Sequence, residues 1–183
     1  MPRRLPARWA ASLALATLLA SSAVAQDLFR EGGAWVDDQA RTYDLAALHG
    51  RPTVLTMAYG ACRRVCSTSL RIMEGVQALA DRQHAVVDFV VLGLDPAQDL
   101  PADWAAFRSE RKLTRANWHF LSADPATVQR MAERLGIRYW HYGEHTMHDF
   151  KIVLLATDGQ VAHSMNHFDQ DPAMLLPSPH TTP

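Results

Sequence analysis

Cys62 and Cys66 are the residues of this chain best suited to chemistry, and they are the only cysteines among its 183 residues. They lie between an apolar run that predicts a strand and a periodic segment that predicts a helix. Residues i and i+4 of a helix have Cα atoms about 6 Å apart, which permits a disulfide or two thiolates on one soft metal ion. The helix N-terminus and the neighbouring Arg63 and Arg64 favour the thiolate form. The pair is therefore a candidate redox or metal site.

A structural disulfide is the simpler alternative, because exported proteins use disulfides routinely. A bridge between Cys62 and Cys66 would close a very short loop and remove little entropy from the unfolded chain. Its stabilisation would lie at the low end of the usual range of about 2 to 4 kcal/mol. A reactive pair is the favoured interpretation.

The first 25 residues have the pattern of a secretory signal peptide. Three arginines precede an apolar run over 9–20, and Ala23-Val24-Ala25 provides an A-x-A cleavage site. The run is short for a membrane span, which needs about 20 mainly apolar residues. We expect residues 1–25 to be cleaved and the mature chain to be periplasmic, with no membrane insertion. An uncleaved N-terminal anchor is the alternative.

The mature chain has the size of one compact domain. Removing 25 of the 183 residues leaves 158, enough for one compact core. The segment removed holds three arginines and no acidic residue, so the formal net charge falls from −1 to −4. That charge gives no reason to expect a nucleic-acid partner. We expect a monomer with one domain over 26–175 and a flexible tail over 176–183.

Predicted strands and helices alternate along the mature chain. Strands are predicted over 53–59, 86–94, 118–121, 150–156 and 160–165, after a small hairpin over 34–43. Helices are predicted after Cys66, from Pro101, and from Pro125, where Asp124 caps the start and Gly136 ends the helix. A cysteine pair that opens the first helix favours a thioredoxin-like α/β fold. We expect a central mixed β-sheet flanked by helices, with an N-terminal β-hairpin.

The nine histidines all lie in the mature chain, and seven of them occur from His119 onward. Together with methionines and one cysteine pair in an exported protein, they favour a copper hypothesis. His163, Met165 and His167 would share one face if the last strand continued through them, and they are a candidate second copper site. An exposed strand face is the simpler explanation of their spacing.

Three segments carry a resemblance to a known family. Residues 57–66 resemble the C-x-x-x-C loop of the Sco/SenC family of copper-binding assembly factors, which are thioredoxin-like domains that serve cytochrome oxidase maturation. The segment Asp95-Pro96-Ala97-Gln98-Asp99 is similar to the D-P-x-x-D of that family. His148, the apolar run after it and Asp158-Gly159 are similar to its pattern of a ligand histidine, a strand and a turn. The resemblance extends from residue 35 to residue 165.

The resemblance implies a metallochaperone that holds one copper ion per chain at Cys62, Cys66 and His148. Copper would pass by ligand exchange to an exported or membrane-bound cuproprotein such as a subunit of cytochrome c oxidase, and a copper donor protein is a further expected partner. His145 competes with His148 as the ligand, but only His148 has the family's spacing to the acidic-glycine turn. For Asp95 and Asp99 a structural role in the loop is the favoured interpretation.

Thiol-disulfide oxidoreductase activity is the alternative function, with Cys62 and Cys66 as a catalytic redox pair that reduces cysteines of a copper-receiving partner. The absence of proline between Pro125 and Pro172 argues against it, since thioredoxin-type oxidoreductases have a proline facing the cysteine pair. Two departures from the family pattern stand out. Ser67 replaces the usual proline, and no long C-terminal helix is predicted, so one sheet face is expected to be partly exposed or covered by a partner.

Overall fold

A computed structural model describes residues 26–60, 65–143 and 145–177 of the chain. Within them, the strands are β1 (Trp35–Asp37), β2 (Thr42–Tyr43), β3 (Thr53–Ala58), β4 (Asp88–Gly93), β5 (Trp118–Ser122), β6 (Tyr139–Tyr142), β7 (His145–His148), β8 (Ile152–Leu155) and β9 (Val161–Met165). The α-helices are α1 (Val65–Gln83), α2 (Pro101–Arg111) and α3 (Pro125–Leu135). Short 3-10 helices cover Leu28–Arg30, Leu45–Leu48 and Pro172–Leu175.

Seven strands form one mixed sheet in the order β2-β1-β5-β4-β3-β8-β9. The three central strands β5, β4 and β3 run parallel, whereas β1 and β8 pair antiparallel on either side of them. Every residue of β3 and β4 is buried, as expected for apolar strands covered on both faces. The predicted central mixed sheet flanked by helices is confirmed.

The helices cover both faces of this sheet. Apolar residues of α1 and Trp104 of α2 join one buried cluster with residues of β3, β4, β5 and β8, and apolar residues of α3 join a second cluster on the other face. Helix α3 begins as predicted, because the Asp124 carboxylate accepts hydrogen bonds from two backbone N–H groups of its first turn. Gly136 ends it with a left-handed φ of 64°.

The predicted N-terminal hairpin is also present. Strands β1 and β2 pair antiparallel, and the Asp37 carboxylate accepts hydrogen bonds from the backbone N–H groups of Gln39 and Arg41 across the turn. Strand β1 then pairs with β5. The hairpin thereby extends the sheet at one edge.

A second hairpin was not predicted. Strands β6 and β7 form a separate two-stranded antiparallel sheet, with Tyr139 opposite His148 and Tyr142 opposite His145. The sequence analysis predicts no strand between residues 121 and 150, so both competing histidines lie outside its predicted strands. His145 begins β7 and His148 ends it.

The C-terminal segment closes the sheet face that the sequence analysis expects to be partly exposed. The 3-10 helix over Pro172–Leu175 packs against α1 and β9, and Leu175 is fully buried in the cluster of α1. Leu176, the first residue of the predicted tail, is buried in the same cluster. A short turn therefore covers the face that was expected to be partly exposed or covered by a partner. Residues 178–183 lie outside the described part.

The N-terminal segment lies at the amino ends of the parallel strands. The Leu28 N–H donates to the Gly159 carbonyl at 3.0 Å, and the Gly50 N–H donates to the Thr157 carbonyl at 2.9 Å. Both contacts are made to the turn that follows β8, whose last residues lie beside the first residue of β3. Among the described residues, no helix is both long and apolar enough to cross a membrane.

Candidate metal centre

The segment that carries the cysteines runs from the carboxyl end of β3 into α1. Gly60 follows β3, and its backbone N–H donates to Oδ1 of Asp99 at 2.8 Å. Cys62 lies outside the described residues. Cys66 is the second residue of α1, at the helix N-terminus, where a thiolate is stabilised by the helix dipole and backbone N–H groups. The predicted position of Cys66 in the first turn of the helix is confirmed.

Asp99 is the buried anchor of this segment. It is 1 % exposed, and its carboxylate accepts from the Gly60 N–H and from the Asp95 N–H, each at 2.8 Å. Gly93 makes room for it, since a Cβ at Gly93 would lie 2.7 Å from Asp99 Cβ. Burial raises the pKa of the Asp99 carboxyl to about 7, against the opposing effect of the backbone hydrogen bonds.

Asp95 connects the cysteine segment to the hairpin of β6 and β7. Its Oδ2 accepts from the Thr146 hydroxyl at 3.0 Å and from Gln98 Nε2 at 3.2 Å. Gln98 in turn accepts from the Tyr59 hydroxyl at 2.9 Å. One loop after β4 therefore holds the residues just before the cysteines and also the middle of β7.

His148 is half-buried at the end of β7. Its Nδ1 lies 2.8 Å from the Asp149 carbonyl oxygen. A carbonyl can only accept, so Nδ1 carries the proton of the neutral ring and Nε2 carries the lone pair that would bind a metal. Asp149 itself pairs with Arg138 through two side-chain hydrogen bonds of 2.8 and 3.0 Å, which close the base of the hairpin and lower the pKa of Asp149.

The other candidate ligands are placed differently. His145 is exposed on β7. It lies on the opposite side of that strand from the buried Thr146. The candidate second copper site is not formed, because Met165 is fully buried in the core and β9 ends there, whereas His163 and His167 are exposed. The premise that the strand continues through all three residues is wrong.

Within the described residues, no group of three or more His, Cys, Asp or Glu side chains is arranged to hold a metal ion. Both cysteine side chains fall outside that part, so a site of Cys62, Cys66 and His148 stays a prediction. Sequence reasoning gave no role to Thr146, Tyr59 or Gln98. Gln98 lies inside the D-P-x-x-D segment and Thr146 lies between the two competing histidines. These positions were the only feature of the sequence that could have linked the two residues to the candidate site.

A surface cleft of about 530 Å³ opens beside the cysteine segment. It starts at Gly60, passes Gln98 and Leu100, and continues along α2 to Phe107 and Glu110. Its Gly60 end lies at the carboxyl end of β3.

Comparison with known proteins identifies relatives. The family model described as SCO1/SenC matches residues 28–177. The solved structure of Bradyrhizobium japonicum ScoI with copper bound has a TM-score of 0.65 and 21 % identity, covering 78 % of this chain and 92 % of that one. Arabidopsis thaliana ScoI with copper bound has a TM-score of 0.68 and 15 % identity, covering 77 % and 88 %.

BsSco, described as a member of the Sco family of cytochrome c oxidase assembly proteins with a disulfide switch, is also similar. Its TM-score is 0.65 at 20 % identity, and the match covers 76 % of this chain and 83 % of that chain. No curated protein sequence matches this chain. The structural similarities confirm the predicted thioredoxin-like fold.

Proposed function

Since the chain belongs to the SCO1/SenC family, we propose that it is a copper metallochaperone that carries one ion at Cys62, Cys66 and His148. The ion is cargo, and the receiver is an exported or membrane-bound cuproprotein such as a subunit of cytochrome c oxidase. Two relatives have been solved with copper bound, and BsSco is described as an assembly protein of that oxidase. The signal-like residues 1–25 support a periplasmic location.

The observation that carries this proposal is that the loop after β4 hydrogen-bonds to both segments that hold the proposed ligands. Asp99 holds the backbone of Gly60, two residues before Cys62, and Asp95 holds Thr146, two residues before His148. The two segments that carry the ligands are more than eighty residues apart in sequence, yet one loop binds both. This arrangement supports convergence of the three ligands at the carboxyl edge of the sheet.

The cysteine and histidine ligands would have different roles in binding copper. Two thiolates select the soft Cu(I) ion, and a neutral imidazole serves either oxidation state. The hydrogen bond from Nδ1 of His148 to the Asp149 carbonyl favours the tautomer in which Nε2 carries the lone pair. Three protein ligands leave a coordination position for a partner thiolate, so the ion moves by stepwise ligand exchange.

Copper titration of the reduced protein tests the three-ligand site. The protein is purified from the periplasmic fraction, where we expect its first residue to be Gln26, and it competes anaerobically with a chromogenic Cu(I) chelator. Cys62→Ser and Cys66→Ser should each weaken binding by at least about 100-fold, and His148→Ala by about 10- to 100-fold. His163→Ala is the matched control, because His163 is exposed on β9 and should leave affinity unchanged.

Two results would contradict the proposal. Parent-like affinity of His148→Ala for both Cu(I) and Cu(II) would show that His148 is not a ligand, and a loss confined to His145→Ala would transfer that role to His145. Weak copper binding by every protein, together with repeated reduction of a protein disulfide by the parent, would establish the oxidoreductase instead. Cys66 at the start of α1 favours a reactive thiolate in both functions, so only these measurements separate them.

A further inference from the structure

The hairpin of β6 and β7 has one face that the network around Asp95 does not use. Four residues form this outer face: Trp140, Tyr142, His145 and Met147. The strand register places Trp140 opposite Met147 and Tyr142 opposite His145. Because side chains alternate across a strand, all four project from the same side of the hairpin.

The outer face points to solvent. Thr146, on the other side of β7, is 3 % exposed and bonds to a buried carboxylate, which fixes the side of the hairpin that faces the domain. On the outer face, Trp140 is 49 % exposed, Tyr142 74 % and Met147 42 %. His145 is exposed beside them.

The outer face carries more exposed apolar surface than packing alone requires. An antiparallel hairpin with one face in water normally places polar residues on that face and apolar residues inward. The other side of the hairpin holds Thr146 and His148 on β7, and Tyr139 and the exposed His141 on β6. Tyr139 packs against the core and Thr146 hydrogen-bonds to His141, whereas two further aromatic rings and the thioether lie on the outer face. A contiguous exposed apolar surface of this kind marks a binding site.

We propose that the outer face binds one soft monovalent cation, Cu(I), through the Met147 thioether and the His145 imidazole, with the Trp140 indole covering the ion. Residues two apart on a strand have Cα atoms about 7 Å apart, a gap that two long side chains close around an ion. Directly opposed residues have Cα atoms about 4.5 to 5.5 Å apart, so Trp140 is within reach of an ion held by Met147. Tryptophan is also the aromatic ring that attracts cations best.

The donors select the kind of ion. A thioether and an imidazole are neutral and suit Cu(I), whereas Mg²⁺ and Ca²⁺ need oxygen ligands that the outer face does not supply. Binding here requires neither cysteine, so it is independent of the proposed function. If copper transfer by Cys62, Cys66 and His148 is correct, the outer face holds an incoming ion on the same hairpin that presents His148.

The test removes the cysteines and reads the outer face directly. Cys62→Ser/Cys66→Ser protein, starting at Gln26, is titrated with Ag(I) as a redox-inert probe and with Cu(I) under anaerobic conditions. Trp35, Trp104 and Trp118 are at most 2 % exposed, so solvent-exposed indole emission reports Trp140. We expect quenching of that emission at one equivalent of metal and a shift of the Met147 methyl resonance in NMR spectra.

Conservative variants in the same background identify the ligands. Met147→Leu and His145→Gln should each raise the dissociation constant at least tenfold. Met174→Leu and His163→Gln are the matched controls, because Met174 is partly buried in the core and His163 lies on β9. Parent-like binding by Met147→Leu would overturn the proposal. Absence of quenching and of a methyl shift would also overturn it and leave the outer face as a surface for a protein partner.

Discussion

The Asp99 carboxylate is held in an environment that favours its neutral form. It is almost fully buried, and burial is the main cause that raises its pKa. The negative charge of the nearby Asp95 raises the pKa of Asp99 further. Backbone N–H groups of Gly60 and Asp95 oppose this, yet the pKa reaches about 7. Near neutral pH the anchor of the cysteine segment therefore changes its charge.

This burial predicts a specific dependence of stability on pH. Between about pH 4 and pH 7 the folded state retains a proton on Asp99 that the unfolded state has released, so the free energy of unfolding falls as pH rises through that window. The slope contributed by one such group is at most about 1.4 kcal/mol per pH unit. Asp99→Asn should remove this contribution. Urea unfolding of parent and variant at steps from pH 4.5 to pH 8 measures it.

Asp169→Asn is the control for this experiment, because Asp169 is exposed. Hydrogen bonding to Asp27 raises the pKa of His49 above its ordinary value of 6.5. The His49 contribution to the free energy of unfolding therefore also falls as pH rises near and above 6.5, and it does so equally in parent and variant. The difference between the Asp99→Asn and parent profiles therefore isolates Asp99. Parallel profiles would show that Asp99 stays ionised throughout.

The sequence predicted part of this residue-level arrangement. The D-P-x-x-D segment was assigned a structural role, and the capping of α3 by Asp124 followed from residue types alone. The contact between Asp99 and the Gly60 backbone could not be predicted, because the two residues are 39 positions apart and meet only after β3 and β4 pair.

At the scale of elements, the hairpin of β6 and β7 is the feature that sequence reasoning missed. A half-buried strand is recognised by apolar residues inside and polar residues outside. In this hairpin the outward positions hold Trp140 and Met147, whereas the one fully buried position of β7 holds the polar Thr146, so apolar residues do not mark the inner face. The buried strands β3 and β4 were predicted correctly because their apolar runs are continuous.

Thr146 is the main side-chain link between this hairpin and the loop after β4. Its hydroxyl donates to Asp95, so the proton that bonds it to His141 must come from Nδ1 of the imidazole. Thr146→Val keeps the shape but leaves a buried carboxylate oxygen with one donor fewer, which should cost about 1 to 3 kcal/mol. Urea unfolding measures this loss, and amide hydrogen exchange of β7 should accelerate.

Thr146→Ser is the matched control, since it retains the hydroxyl and should keep most of the protection of β7. If Thr146→Val exchanges as slowly as the parent, the hydrogen bond to Asp95 does not hold the hairpin in place. An equal loss of protection in β3 would instead indicate a general loss of stability.

At the scale of the whole molecule, both faces of the sheet are covered although no long helix ends the chain. The C-terminal turn supplies Leu175 and Leu176 to the cluster of α1. Sequence reasoning could not assign this cover, because four residues of 3-10 helix have no periodicity to detect. The α/β layering itself followed from the alternation of strands and helices along the chain.

Leu175 should therefore behave as a core residue. Leu175→Ala is expected to lower the free energy of unfolding by about 2 to 5 kcal/mol, through lost burial and a cavity against α1. Val86→Ala is the comparison, because Val86 is 71 % exposed and its loss should stay within about 0.5 kcal/mol. Denaturant unfolding measures the free energy of unfolding of both variants. Equal costs would mean that the turn does not close the core.

The contacts of the N-terminal segment with the turn after β8 place that segment and the candidate site at opposite ends of the parallel strands. Leu28 bonds to Gly159 at the amino ends of the parallel strands, whereas Gly60 and the hairpin of β7 lie at their carboxyl ends. Six residues of strand separate the two ends by about 20 Å. A protein tethered to a support through Gln26 would therefore hold the carboxyl edge of its parallel strands, with Gly60 and the hairpin of β7, on the side away from that support.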